Sequence, residues 1–246
     1  LQSTAQLEFW ETFKNDQFLN FLSQANLLLR DKSKIEKNQL SNDQSKESGI
    51  DDLLSDITQT DSLSPGDQNP LNDLIKGLGF QGGPVLAQVS KNDKDLFKYY
   101  LDLPEVRRLL PSNLRYVKFM WGKANPDNDL VDLFIIKSNR DNQPPLSGGV
   151  IVDAFQTYSQ IGQPAVSMQM DSKGSRIWEN ITGKAFKDGS SIAIVLDDLV
   201  YSAPGVSNGA ISGGRSEITG SFSLNEAIDL ANVLRAGKLP ASADII

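Results

Sequence analysis

The chain has 246 residues, 39% of them apolar, and carries 24 Lys and Arg against 31 Asp and Glu, a formal net charge of −7. Histidine and cysteine are absent, which excludes Ser-His-Asp and Cys-His catalysis, the usual zinc sites and disulfides. The acidic balance and the lack of any basic cluster oppose nucleic acid and anionic membrane surfaces as partners. No cofactor motif is present, and only a carboxylate site for a hard cation stays open.

The longest apolar runs, such as Ile192–Leu196, fall far short of the roughly 20 residues needed to cross a bilayer. No secretory leader is visible, and the apolar end Ile245-Ile246 reads as that of a fragment whose anchors lie outside it. The expected class is α+β: mostly antiparallel sheets with helices packed on one face, together with a polar insertion.

Residues 1–29 read as a base-type strand and helix. Ala5, Leu7 and Phe9 alternate with Gln6 and Glu8, a strand pattern, and Phe18, Leu19, Leu22, Ala25 and Leu29 recur at helical spacing. Residues 30–72 are rich in Asp, Asn, Gln, Ser and Lys, without an aromatic residue. They read as a mobile spacer, or as a docking segment around Leu53, Leu54 and Ile57.

Residues 73–139 read as an inserted α+β region. Gly77, Gly79, Gly82 and Gly83 surround Phe80 without the Lys-Ser/Thr ending of a phosphate loop. Short helices are expected at Asp93–Leu101 and Pro104–Leu110, and strands at Leu114–Trp121 and Leu130–Lys137, joined by the turn-rich run 125–128.

Residues 140–239 form the best-specified stretch. Ala154–Ser159 and Ala165–Met170 flank Ile161-Gly162-Gln163 as a hairpin. Asp171 suits a helix N-cap, and Gly183 is the expected stop. Ile192–Leu196 is apolar on both faces, so a covered central strand is expected. Asp197-Asp198 turns it into Leu199–Ala203, and Arg215–Ser221 gives a further strand. Ser223 and Glu226 form a capping box before the stripe Leu224, Ala227, Ile228, Ala231 and Leu234. Gly237 ends that helix, and residues 240–246 return toward the base.

Several runs stand here in a recognisable order. They are Leu146-Ser147-Gly148, then Gly162-Gln163-Pro164-Ala165-Val166-Ser167, then Ala193-Ile194-Val195-Leu196-Asp197 with Val200-Tyr201-Ser202-Ala203-Pro204. Ile211-Ser212-Gly213-Gly214-Arg215, Ile218-Thr219-Gly220 and the close Leu234-Arg235-Ala236-Gly237-Lys238-Leu239-Pro240 follow. Over about one hundred residues this order resembles the SecD family, and the front strand Ala5–Glu11 resembles the family's strand that ends in Leu-Glu-Phe. The resemblance implies a base subdomain built from the two ends of the chain and a head subdomain between Leu146 and Arg235. Asp198 stands where the family usually has Gly, and residues 30–140 are longer than in compact members.

The resemblance implies a non-enzymatic role: a periplasmic domain of an inner-membrane protein that binds unfolded secretory chains and assists proton-gradient-driven export. Its implied partners are SecF and the SecYEG translocon, with no cofactor and no metal. A surface for unfolded chains needs exposed apolar side chains or an open strand edge. The candidates are Phe155, Tyr158, Met168 and Met170 on the first hairpin, and Tyr201 and Pro204 on the second. Gly148, Gly149, Gly213, Gly214 and Gly237 are candidate hinges or turns. The competing readings are a carbohydrate-binding, hydrolytic or calcium site built from Asp197, Asp198 and Glu217, and a purely structural Sec assembly module.

Overall fold

The computed structural model describes residues 6–44, 69–124, 128–219 and 222–236. The return 240–246, Gly237, the segment around Leu53, Leu54 and Ile57, and the turn at 125–127 lie outside them. The architecture is α+β. Three separate sheets are built from antiparallel strand pairs.

The central sheet is organised by β9 (Ile192–Leu196), whose residues are apolar on both faces. Such a strand needs a neighbour on each edge and a packed layer on each side. On one edge β10 (Leu199–Ser202) folds back through Asp197 and Asp198, both left-handed at φ 50° and 63°. Two left-handed residues make the hairpin turn that matches strand twist, and Asp tolerates that geometry. On the other edge lies β1 (Leu7–Glu11), itself paired beyond with β6 (Leu146–Ser147), giving the order β10-β9-β1-β6. The front strand is therefore an interior strand of a sheet otherwise made from residues 146–202.

The two faces of this sheet feed different cores. Leu7, Phe9, Ile192 and Ile194 pack with Val166, Met168 and Trp178. Trp10, Ala193, Val195 and Val200 pack with Met120, Phe134 and Ile136.

The last three residues belong to the second sheet, of order β2-β3-β5-β4, built from β2 (Ile75–Gly77), β3 (Val85–Ser90), β4 (Val117–Trp121) and β5 (Leu130–Lys137). Its other face carries α1 (Leu19–Gln44), α2 (Lys94–Asp102) and the single turn α3 (Pro104–Arg107). Phe18, Phe21, Leu22, Ala25 and Leu29 share one core with Leu86, Phe97, Phe119 and Ile135. Residues 13–29 and 71–135 thus form one unit.

α1 runs on to Gln44, well past Leu29 where the apolar stripe ends. Residues 30–44 are polar apart from Ile35 and Leu40 but contain no Gly or Pro, and Lys, Glu, Gln and Arg are good helix formers. A composition read as spacer continues the helix.

The third sheet, β11-β8-β7, joins β7 (Ile151–Tyr158), β8 (Pro164–Met170) and β11 (Arg215–Thr219). α4 (Ser172–Asp188) and α5 (Leu224–Ala236) cover its inner face through Trp178, Ile181, Ala227, Leu230 and Leu234. Asp171 Oδ1 accepts from Gly174 N–H at 2.7 Å, as an N-cap should. Gly183 does not stop α4. It lies inside the helix, where an added Cβ would stand 3.1 Å from that of Ala210, and Gly189 at φ 62° provides the stop. In α5, Leu224 and Ile228 point outward, at 44% and 39% exposure, and Leu230 takes the buried position.

The α5 capping box forms: Ser223 N–H and Oγ both donate to Glu226 Oε2 at 2.8 Å. The bond from the Ser223 backbone, with that from its hydroxyl, holds the Glu226 carboxyl below the ordinary glutamate value. A lowered carboxyl stabilises the fold above its unfolded pKa and loses that contribution as pH falls through the folded one. Glu226→Gln is expected to cost about 0.5–1 kcal/mol at pH 7. The gap to wild type should close in acid, measured by urea unfolding at pH 7 and below pH 4.

Candidate functional site

Strand alternation decides which hairpin residues are free to touch a partner. Val166, Met168 and Met170 face inward and are buried, with Met168 at 0% exposure. These methionines are core residues; their spacing marks the inner face of β8, not an adaptable surface. Phe155 and Tyr158 are exposed, at 48% and 58%. The structure adds Ile161 at the hairpin tip, 79% exposed, and Val152, which follows the irregular Ile151 pairing of β7. A lone Ile beside Gly162 in a turn was a legible signal for the first. Val152 gives none, because an irregular register does not show in a period-2 pattern.

The second hairpin is tied into the fold. Tyr201 is half-buried, packs against the inner core and lies 5.8 Å beneath the Lys123 ammonium. Pro204 is half-buried, and its carbonyl accepts from Ile192 N–H at 3.0 Å.

The glycines differ in what they do. Gly148 and Gly149 lie in a 3-10 turn between β6 and β7. Gly213 and Gly214 are left-handed, at φ 80° and 71°, and a Cβ on Gly214 would stand 3.0 Å from Ser175 Cβ and 3.1 Å from Met170 O. Gly214 is fixed both by conformation and by close approach.

The acidic trio is not assembled. Asp197 and Asp198 form the β9–β10 turn, where Asp197 Oδ1 accepts from Gln6 N–H at 2.8 Å. Glu217 lies on β11, in another sheet. Glu217 and Asp198 line different clefts, one with Ile161 and Asn208, the other with Lys98, Arg107 and Trp121. Among the described residues no group of three acidic side chains is placed to hold a metal ion.

Among the described residues, the ionic cluster around Glu11 joins three elements. Glu11 on β1 accepts from Lys137 on β5 at 2.7 Å and from Lys184 on α4 at 2.9 Å. The bond to Glu11 raises the Lys184 pKa above the ordinary lysine value against an opposing effect of burial. Asp102 shows the same balance. Burial pushes its carboxyl up, but bonds from Lys98 and Arg107 bring it below the usual value.

Among the described residues no helix is long and apolar enough to cross a membrane. The family model for the SecDF P1 head subdomain matches residues 135–241. The protein translocase subunit SecD of Rhodothermus marinus is 38% identical over 191 residues, covering 74% of this chain and 29% of that protein. SecD of Calditerrivibrio nitroreducens is 48% identical over 102 residues, or 41% of this chain and 19% of its own length. SecDF of Thermus thermophilus is 40% identical over 106 residues, or 43% and 14%. The chain thus spans less than a third of each of these relatives.

A solved structure described as a membrane component SecDF that enhances protein export aligns over 98% of this chain and 100% of that one, at 22% identity and a TM-score of 0.35. SecDF in a super-membrane-facing form aligns over 61% of this chain and 17% of that one, at 30% identity and a TM-score of 0.34. The ordered motifs between Leu146 and Pro240 fall inside the stretch that matches the P1 head subdomain, and with the SecD relatives they place this chain in the SecD/SecDF family.

Proposed function

We propose that the chain is a periplasmic part of a SecD subunit of the Sec export machinery and transiently holds unfolded secretory chains as they cross the membrane. It acts without cofactor and without bond chemistry. The parent works with SecF and the SecYEG translocon and draws on the proton gradient through membrane segments beyond this chain.

The observation that carries this reading is the exposed apolar set on the head subdomain. Val152, Phe155, Tyr158 and Ile161 all lie on one hairpin and are 45% to 79% exposed. Exposed apolar side chains along one hairpin offer contacts to a passing apolar segment, Phe155 and Tyr158 from opposite faces of β7. The turn at Gly148-Gly149 joins the central sheet to the one that carries this hairpin and is the hinge candidate that stays open, since Gly214 is held in place by its neighbours.

Replacing Phe155, Tyr158 and Ile161 together with Ser in the full-length parent is expected to slow export of a model secretory protein several-fold. Thermal stability should stay near wild type, because all three side chains are exposed. Unchanged export with normal protein level would favour the assembly-module reading.

A further inference from the structure

The third sheet has two edges, and the chain treats them differently. On β7, the Ala154 carbonyl accepts from Arg235 Nε at 3.1 Å and Nη2 at 2.7 Å. Arg235 stands near the end of α5, which packs along β7 and β8. That edge is partly occupied by the helix end.

The β11 edge is not occupied in this way. Met170 N–H donates to Gly214 C=O at 2.7 Å, which fixes the alternation along the pair. Gly214, Ser216 and Ile218 turn their backbone groups to β8, so Arg215, Glu217 and Thr219 turn theirs outward. Among the described residues, none hydrogen-bonds to these outward N–H and C=O groups. An uncovered edge of this kind is a template for another strand.

The edge opens onto a cleft of about 540 Å³, lined by Glu217 and Thr219 of β11, Ile161 and Pro164 of the hairpin, and Asn208 of the loop before β11. Arg215 to Thr219 spans roughly 14 Å, enough to pair a five-residue extended segment. Glu217 is the one ionisable side chain in the lining, and Ile161 is its exposed apolar member.

We propose that the β11 edge binds an extended polypeptide segment by strand addition, with a Lys or Arg beside Glu217 and an apolar residue against Ile161. This deepens the export reading and rests on it. Main-chain bonds give affinity without demanding a sequence, which suits a surface that meets many chains.

The test uses a fluorescent decapeptide of alternating Val and Thr with one central Lys, and a twin N-methylated at alternate residues along one edge. The plain peptide is expected to bind, and the twin at least about tenfold more weakly, in anisotropy titrations. Amide exchange should slow at Arg215, Glu217 and Thr219 and stay unchanged along β7. Glu217→Pro removes an outward N–H without touching the ladder to β8 and should weaken binding about tenfold. Unchanged protection of the β8 amides reports that this variant still folds. Exchanging the peptide Lys for Glu should also weaken binding.

Equal binding of the two peptides, binding of neither, or protection confined to other residues overturns strand addition. Arg215 and Glu217 would then be edge-guarding charges. If photoreactive residues placed at Phe155, Tyr158 and Ile161 still crosslink to an exported chain in that case, the export reading stands without this site. If they are lost as well, both fall.

Discussion

Phe9→Ala is expected to lower the unfolding free energy by about 3–5 kcal/mol, the largest effect of any single truncation considered for this chain. Phe9 has no exposed surface and sits mid-strand in β1, between Ile194 of β9 and Leu146 of β6. Its ring meets that of Trp178 on α4 edge-on, with centroids 5.5 Å apart at 75°. Three elements converge on it, and the site cannot collapse when the ring is removed, because β9 and β6 stay laddered to the β1 backbone on either side. Domains of this size are stable by only about 5–15 kcal/mol, so the variant should be visibly weakened in guanidinium unfolding. Phe9→Leu should cost less, about 1–1.5 kcal/mol. A loss below about 1 kcal/mol for Phe9→Ala would contradict the interior position of β1.

Asn15→Leu is expected to cost about 2–4 kcal/mol and to open the glycine-rich loop at residues 77–83. Asn15 is buried, at 5% exposure. Its Nδ2 donates to the carbonyls of Gly79, Phe80 and Val85 at 3.2, 2.9 and 3.0 Å, and its Oδ1 accepts from Gly82 N–H at 2.9 Å. Leucine fills the same space but removes the side-chain partner of the Gly79 carbonyl and of Gly82 N–H, while Phe80 C=O keeps its bond from Gly83 N–H, and an unmet buried polar group costs more than a met one gains. Leu78 and Phe80 already point outward, at 56% and 74% exposure. Chymotrypsin should therefore cut the variant faster at these residues, with unfolding in urea giving the energy. An unchanged cleavage rate would mean that Asn15 does not hold the loop.

That clasp shows where sequence reading stops. The run from Gly77 to Gly83 was legible as a loop and not as a phosphate cradle, but its partner lies more than sixty residues earlier, in a short polar turn. Glu11 is a similar case, since its two lysines stand 126 and 173 residues away. Local periodicity carries no information about such pairs.

What was legible is local. The two-sided apolar run of β9, the Asp197-Asp198 turn, the Asp171 cap, the Ser223–Glu226 box and the β7–β8 hairpin all formed as their residues dictate. Faces were harder. Met168 and Met170 share a face with Val166, and only packing by α4 and α5 shows that this face is the inner one. Sheet membership was not legible either. The strands between Leu146 and Thr219 divide between two sheets, and β1 joins β9 across most of the chain, because strand patterning fixes a face and never a neighbour.

Site-specific photocrosslinking tests the central claim most directly. A photoreactive residue is placed at Phe155, Tyr158 or Ile161, or at the exposed control Glu179 on α4, in membranes that carry the full-length parent and a stalled secretory protein. The account predicts crosslinks to the secretory protein from the three hairpin positions and none from Glu179. Crosslinks from the hairpin only to other Sec subunits, or equal crosslinks from Glu179, would contradict it.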